Sequence, residues 1–346
     1  MSAKKVIRAP LWATLVGALV AALMVVSFFT FVQSGEAAPQ AAADKQPPSA
    51  SVSPKIVGGT EVPNGKYPFM VALIDKKKPT IPQNPYRFFC GGTLIDKDSV
   101  LTAGHCSLAY PKYEEVYSPQ RLRVYVGRTV LSSSQGQVRS VKRIFVHPNF
   151  KEFPEDPNRP YALQDKYDAA VLELSRPVTG ITPIKLVTSE QNDVEKPGRN
   201  ATVAGWGLQL AYQPGADFPP KSAQQDRMRA AQVPIVSDSR AEQIYTDYMS
   251  PIMITAGGNG KDTCAGDSGG PLFFARASDG DGDNGDDGDN GAGKNGDDNS
   301  GGSGGKYTQI GITSYGAGCG AKGVPGVYAE VNNPSIRGFI TNAASE

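Results

Sequence analysis

Histidine and cysteine are scarce in this chain, two and four respectively among 346 residues. The cysteines, Cys90, Cys106, Cys264 and Cys319, include no Cys-x-x-Cys pair, which argues against a zinc site. A net charge of +1 leaves no electrostatic footprint for nucleic acid or an acidic membrane. No tandem repeat is visible by sequence identity. If the chain is a hydrolase with a histidine base, that base is His105 or His147. One long uncharged apolar run exists, at 11–32, preceded by Lys4, Lys5 and Arg8 and followed by small Gly35, Ala37 and Ala38. Residues 1–38 thus read as a secretory signal. The run is also long enough to cross a bilayer, so a retained signal anchor is the alternative. Both place the rest of the chain outside the cytoplasm, where four cysteines are expected to form two disulfides. Three pairings are open at this point.

Residues 39–55 are rich in Ala, Pro, Ser and Gln and read as an unstructured linker or pro-segment. The composition changes at Ile56-Val57-Gly58-Gly59. Short apolar runs follow at 69–74, 92–95, 100–103, 122–126, 141–146 and 169–174, and again at 201–204, 232–236, 271–274, 307–314 and 326–331. Separated by turn residues, they predict an all-β sandwich or barrel. Asn333 and Pro334 suit a helix start, with Ile336, Phe339 and Ile340 on one face. Residues 278–305 hold Gly, Asp, Asn and Ser without a large apolar side chain, and predict a mobile acidic loop between two strands. Asp279, Asp281 and Asp283 have a calcium-loop rhythm, but the sixth and twelfth positions are Asn284 and Asn290 where Gly and Glu are needed.

The chemistry concentrates in Asp262-Thr263-Cys264-Ala265-Gly266-Asp267-Ser268-Gly269-Gly270-Pro271. Small residues surround the Ser268 hydroxyl and leave room for a substrate chain. A plain glycine-rich turn would explain the glycines, but not the catalytic partners found elsewhere. Serine is a weak nucleophile unless a base, itself oriented by an acid, removes its proton. His105, in Leu101-Thr102-Ala103-Gly104-His105-Cys106, follows an apolar strand and is the candidate base. His147, before Pro148 at a strand exit, reads as an ordinary surface residue. Asp168 heads the apolar run Ala169-Ala170-Val171-Leu172, where an unpaired carboxylate would cost several kcal/mol.

In order, Ile56-Val57-Gly58-Gly59, Thr102-Ala103-Gly104-His105-Cys106, Asp168, Gly205-Trp206-Gly207, Gly266-Asp267-Ser268-Gly269-Gly270 and Ser314-Tyr315-Gly316 resemble the trypsin-like branch of the chymotrypsin-type serine proteases. The resemblance covers nearly everything from Ile56 onward. It implies an all-β fold of two six-stranded antiparallel Greek-key barrels, at 56–183 and 184–346, with a short C-terminal helix. It implies Ser268 as nucleophile, His105 as base and Asp168 as orienting acid, with the N–H groups of Gly266 and Ser268 as oxyanion hole. Asp262 matches the acid of a specificity pocket walled by Ser314, Gly316 and Gly326, so cleavage after Arg or Lys is expected. The same resemblance pairs Cys90 with Cys106 and Cys264 with Cys319. It also implies a zymogen cut between Lys55 and Ile56, whose new amine pairs with Asp267. No cofactor or metal is expected: residues 128–138, an acidic calcium loop in trypsin-like members, contain no Asp or Glu here. Expected partners are protein or peptide substrates and proteinaceous inhibitors, not nucleic acid. A membrane enters only if the anchor is retained; otherwise the protein is a secreted monomer. Gly104 stands where Ala is usual, a change expected to loosen the histidine loop.

Two rivals are weighed. A non-catalytic homologue acting as a binding or regulatory module would usually lose a member of the triad, and none is missing. An α/β-hydrolase esterase would share Gly-x-Ser-x-Gly, but its chain order is Ser, acid, His, whereas here it is His105, Asp168, Ser268.

Overall fold

The computed structural model describes residues 56–82, 84–109, 115–151, 165–188, 192–213, 225–276 and 303–346. The expected signal (1–38), the linker (39–55) and nearly all of the acidic loop (278–305) lie outside the described residues. Among the described residues no helix is long and apolar enough to cross a membrane.

The strands are β1 (Thr60–Glu61), β2 (Met70–Asp75), β3 (Phe88–Leu94), β4 (Ser99–Thr102), β5 (Leu122–Val126), β6 (Gln137–Val146), β7 (Ala170–Leu174), β8 (Lys185–Leu186), β9 (Asn200–Gly205), β10 (Arg229–Val236), β11 (Met253–Gly257), β12 (Pro271–Ala275), β13 (Tyr307–Tyr315) and β14 (Pro325–Glu330). Two α-helices accompany them, α1 (Asp238–Ile244) and α2 (Pro334–Ala344). Strands β2-β3-β4-β7-β6-β5 close a six-stranded antiparallel barrel. A second one runs β9-β10-β11-β14-β13-β12 and closes by pairing β12 with β9. In each, the fourth strand in sequence returns to lie beside the first, which is the Greek-key arrangement. The two barrels therefore repeat one topology that sequence identity does not display.

Strand β2 shows why its apolar run is continuous rather than alternating. All six of its residues are buried. Val71 and Leu73 belong to the larger core cluster; Met70, Ala72 and Ile74 belong to a second cluster with Phe69, Trp206 and Phe273. A strand covered on both faces has no polar side to display. By contrast β10, half covered, alternates buried with less buried positions.

The helix at the end forms as expected. Pro334 opens α2 and the Asn333 side chain accepts from the N–H groups of Ser335 and Ile336. Ile336 and Ile340 are buried, and Phe339 packs against the core. Some elements went unread. Strand β3 starts at Phe88 rather than 92, because Gly91 and Gly92 interrupt the apolar run without interrupting the ladder, pairing with Ala72 and Val71. Strand β11 and helix α1, the latter capped by Ser237, are short segments whose boundaries tertiary pairing sets.

Candidate active site

The pairing of β4 with β7 puts Thr102 opposite Ala170. The chain leaving β4 and the chain entering β7 therefore lie side by side, one bringing His105 and the other Asp168. His105 opens a short 3-10 turn, His105–Ser107, tied to β3 by the Cys90–Cys106 disulfide. Asp168 is fully buried and accepts three hydrogen bonds. His105 N–H donates to Oδ1 at 2.9 Å, His105 Nδ1 to Oδ2 at 2.8 Å and Ser314 Oγ to Oδ2 at 2.5 Å. With its proton on Nδ1, the imidazole keeps Nε2 as acceptor, the form a general base needs. Nε2 lies 3.6 Å from Cys106 Sγ, and His105 and Ser268 line one cavity of about 500 Å³.

Ser268 sits in a turn before β12, held by Asp267 N–H on Cys264 O and Gly269 N–H on Thr313 O, both 2.8 Å. Gly266 takes φ of 98° and Gly269 of 76°, values that only glycine adopts at little cost. At Gly269 space is also decisive: a Cβ there would lie 2.2 Å from Thr102 Oγ1 and 2.6 Å from Gly91 O. The nucleophile turn of one barrel thus rests directly on the other, and Gly91 N–H donates to Ser268 O at 2.7 Å. Among the described residues, neither the N–H of Gly266 nor that of Ser268 meets an acceptor.

A second cavity, about 170 Å³, lies on the far side of Ser268. Asp262, Ser314, Gly316 and Gly326 all line it, as the resemblance implied. Asp262 is 3% exposed and accepts the backbone N–H groups of Thr263 at 2.8 Å and Gly320 at 3.1 Å, with the Thr263 hydroxyl beside it. Burial pushes its carboxyl up to about 7. A Cβ at Gly326 would lie 2.9 Å from Asp262 Oδ1, while one at Gly316 would meet nothing nearer than 3.5 Å and would simply fill the cavity.

Asp267 is buried beneath this turn. It accepts from Gly207 N–H at 2.8 Å and Cys264 N–H at 3.0 Å, and burial likewise pushes it up to about 7. A Cβ at Gly207 would come within 2.5 Å of its carboxylate, which accounts for the glycine after Trp206. Ile56 is buried, and Val57 packs with the Cys264–Cys319 disulfide while its carbonyl accepts from Asp262 N–H at 3.1 Å. The start of the fold is therefore docked against the segment that carries the pocket acid. Lys55 lies outside the described residues.

Three features escaped the sequence reading. Asp165 brings a second carboxylate to 3.6 Å from His105 Nδ1, at the end of a stretch whose pattern carries no signal. His147 is corrected from a surface residue to a buried one, 3% exposed. Its ring stacks on Tyr167, accepts Asn149 N–H at Nδ1 and meets Ser335 Oγ at Nε2, so α2 covers what the strand exit would have left open. At Gly104, Phe150 fills the space a Cβ would take, at 2.8 Å.

Two groups of described residues approach one another closely enough to ligate an ion: Cys90, His105 and Cys106, and His105, Asp165 and Asp168. In the first the sulfurs are spent on a disulfide. In the second Nδ1 and both Asp168 oxygens already carry hydrogen bonds, a donor set better suited to holding an imidazole than a cation.

Two closed barrels whose turns bring a serine, a histidine and a buried aspartate to one cleft define a serine hydrolase of the peptidase class. The family model described as Trypsin matches residues 56–337, and the chain belongs to that family of serine proteases. A trypsin of Saccharopolyspora erythraea is 32% identical over 278 residues, covering 80% of this chain and 93% of its own. Trypsin 5G1 of Aedes aegypti is 32% identical over 295 residues, covering 83% and 84%. The venom peptide isomerase heavy chain of Agelenopsis aperta is 30% identical over 295 residues, covering 80% and 96%.

Proposed function

We propose that this protein is a secreted serine endopeptidase that cleaves after Arg or Lys and is made as a zymogen. The observation that carries the reading is the 2.8 Å contact of His105 Nδ1 with a fully buried Asp168, beside a Ser268 that borders an Asp262-lined cavity. The chemistry is the family's own: Ser268 Oγ attacks the scissile carbonyl, His105 Nε2 takes its proton and returns it to the leaving amine. Asp168 holds the ring in the orientation the transfer needs. The N–H groups of Gly266 and Ser268 receive the oxyanion, a contribution of about 3–4 kcal/mol per donor in such sites.

Asp262 supports the basic specificity. A desolvated carboxylate with only neutral donors gains most from a guanidinium or ammonium, while an apolar side chain would leave it buried without a counter-charge. In the activation step, cleavage between Lys55 and Ile56 frees an ammonium that pairs with Asp267. The expected substrates are proteins and peptides, the expected antagonists proteinaceous inhibitors, and the expected working state a monomer. If the N-terminal apolar run is retained, the same domain works from a membrane.

A peptide library presented to the chain cut at Ile56 tests activity and specificity together. Cleavage confined to Arg and Lys bonds is expected; cleavage after apolar residues would place the specificity acid elsewhere. Ser268→Ala should lose turnover by about 10⁴-fold or more and keep substrate binding, and His105→Ala should be similarly damaged. Near wild-type turnover by Ser268→Ala, measured on purified protein, would remove the nucleophile assignment, whereas no turnover by the cut wild type would favour a non-catalytic binding role.

A further inference from the structure

The two cavities flanking Ser268 have no other lining residue in common. On the reading proposed above, the smaller takes the side chain of the residue whose carbonyl is attacked. The larger, about 500 Å³, extends from Ser268 past His105 and the Cys90–Cys106 bridge to the segment following β2. His105 returns its proton to the leaving amine, so that amine lies on the His105 side of the nucleophile. Residues after the cut therefore enter the larger cavity.

Its charge is unbalanced. Asp75 is buried and gripped by Arg121, Nε on Oδ1 at 2.7 Å and Nη2 on Oδ2 at 2.6 Å, so this pair cancels. Lys77 and Lys78 also line the cavity, are exposed, and make no ion pair with a carboxylate among the described residues. Although exposed at its surface, Lys78 is partly shielded from solvent, which lowers its proton affinity, with Asp75 opposing. Phe89 and Ile81 supply apolar wall beside the two cations.

We propose that this cavity is a subsite for an acidic segment, selecting substrates with Asp or Glu in the first few residues after the cut. The chain's own junction does not fit well: from Ile56 onward its first carboxylate is Glu61. Another protease, or slow self-cleavage, would then open the precursor.

The test uses internally quenched peptides identical except for Glu, Gln or Lys at the second and third positions after the cut. Enzyme concentration is set by active-site titration with a fluorophosphonate. The expected order of kcat/KM is Glu, Gln, Lys, with about fivefold or more between the ends at low salt and a much smaller gap in 1 M NaCl. In the Lys77→Glu/Lys78→Glu variant, titrated in the same way, the order should reverse. Equal rates for the three peptides, or an unchanged order in the variant, would overturn the subsite. The order is read on whichever residue precedes the cut, so a failure of Arg selectivity and a failure of the acidic flank are separate results.

Discussion

At Gly104 two small effects oppose each other, and the neighbour decides the sign. Its backbone is ordinary, with φ of −60° and ψ of −46°, so alanine fits the conformation. By stiffening the unfolded chain, alanine there would stabilise by about 0.4–1 kcal/mol. Against this, its Cβ would lie 2.8 Å from the Phe150 ring and 3.1 Å from Asp168 Oδ1. Overpacking of that kind costs about 1–3 kcal/mol, so Gly104→Ala should lower stability and, by disturbing Asp168, kcat. Gly104→Ala made in a Phe150→Ala background should instead be neutral or stabilising. Urea melts of the four proteins give the coupling, and strictly additive changes would show that Phe150 is not the obstacle.

Elements hold the site through their ends. His147 links the end of β6 to α2 as a neutral ring, accepting at Nδ1 from Asn149 N–H. Burial lowers its pKa, only partly offset by Ser335, so the folded state resists the proton that the unfolded chain takes up near pH 6.5. Stability from this group is therefore present above that pH and lost as pH falls below it. The drop in Tm between pH 7 and pH 5 should be smaller in His147→Gln than in wild type; equal drops would assign the loss to other groups. The β12–β13 hairpin makes a different prediction. Ala275 pairs with Tyr307, and Arg276 N–H donates to Lys306 O at 2.6 Å, so the strands meet directly at the base of the acidic insertion. Removing 279–302 shortens a loop whose closure the strands already enforce, and closure entropy depends only weakly on length. Tm should stay within about 2 °C of wild type and turnover of small substrates should be normal. A loss of several degrees would make the insertion structural.

For the whole molecule, the zymogen proposal ties one peptide bond to the cleft. Lys55→Gln should remain an intact, inactive precursor under a trypsin treatment that activates wild type. Full activity without a new N-terminus at Ile56 would end that mechanism. The pH dependence gives an independent check. Asp267 is raised to about 7 by burial, so in the precursor its contribution is full below the ordinary carboxylate range and is lost as pH rises through about 7. An ammonium beside it offsets that loss after cleavage. The Tm of the cleaved protein should therefore pull ahead of the precursor's as pH rises from about 5 to 8, by about 2–4 °C per kcal/mol. Parallel curves would mean that the amine does not reach Asp267.

What the sequence alone determined was the strand rhythm and the residue types of the candidate site. Ser268 has glycines beside it, Asp168 is a carboxylate at the head of an apolar run, and short β runs between turns already specify an all-β body. These are local matters, settled by a residue and its immediate neighbours. Tertiary structure decided everything that depends on distance between remote parts of the chain. His105 and Asp168 are 63 residues apart, Ser314 and Asp168 146 apart, and the register of Thr102 on Ala170 with the contact between the barrels brings them to one hydrogen-bonded point. The burial of His147, the second carboxylate at Asp165 and the use of Phe150 to fill the space at Gly104 have the same origin. So do the two cavities that meet at Ser268. Each arises because strand pairing and packing place side chains whose own sequence neighbourhoods say nothing about one another.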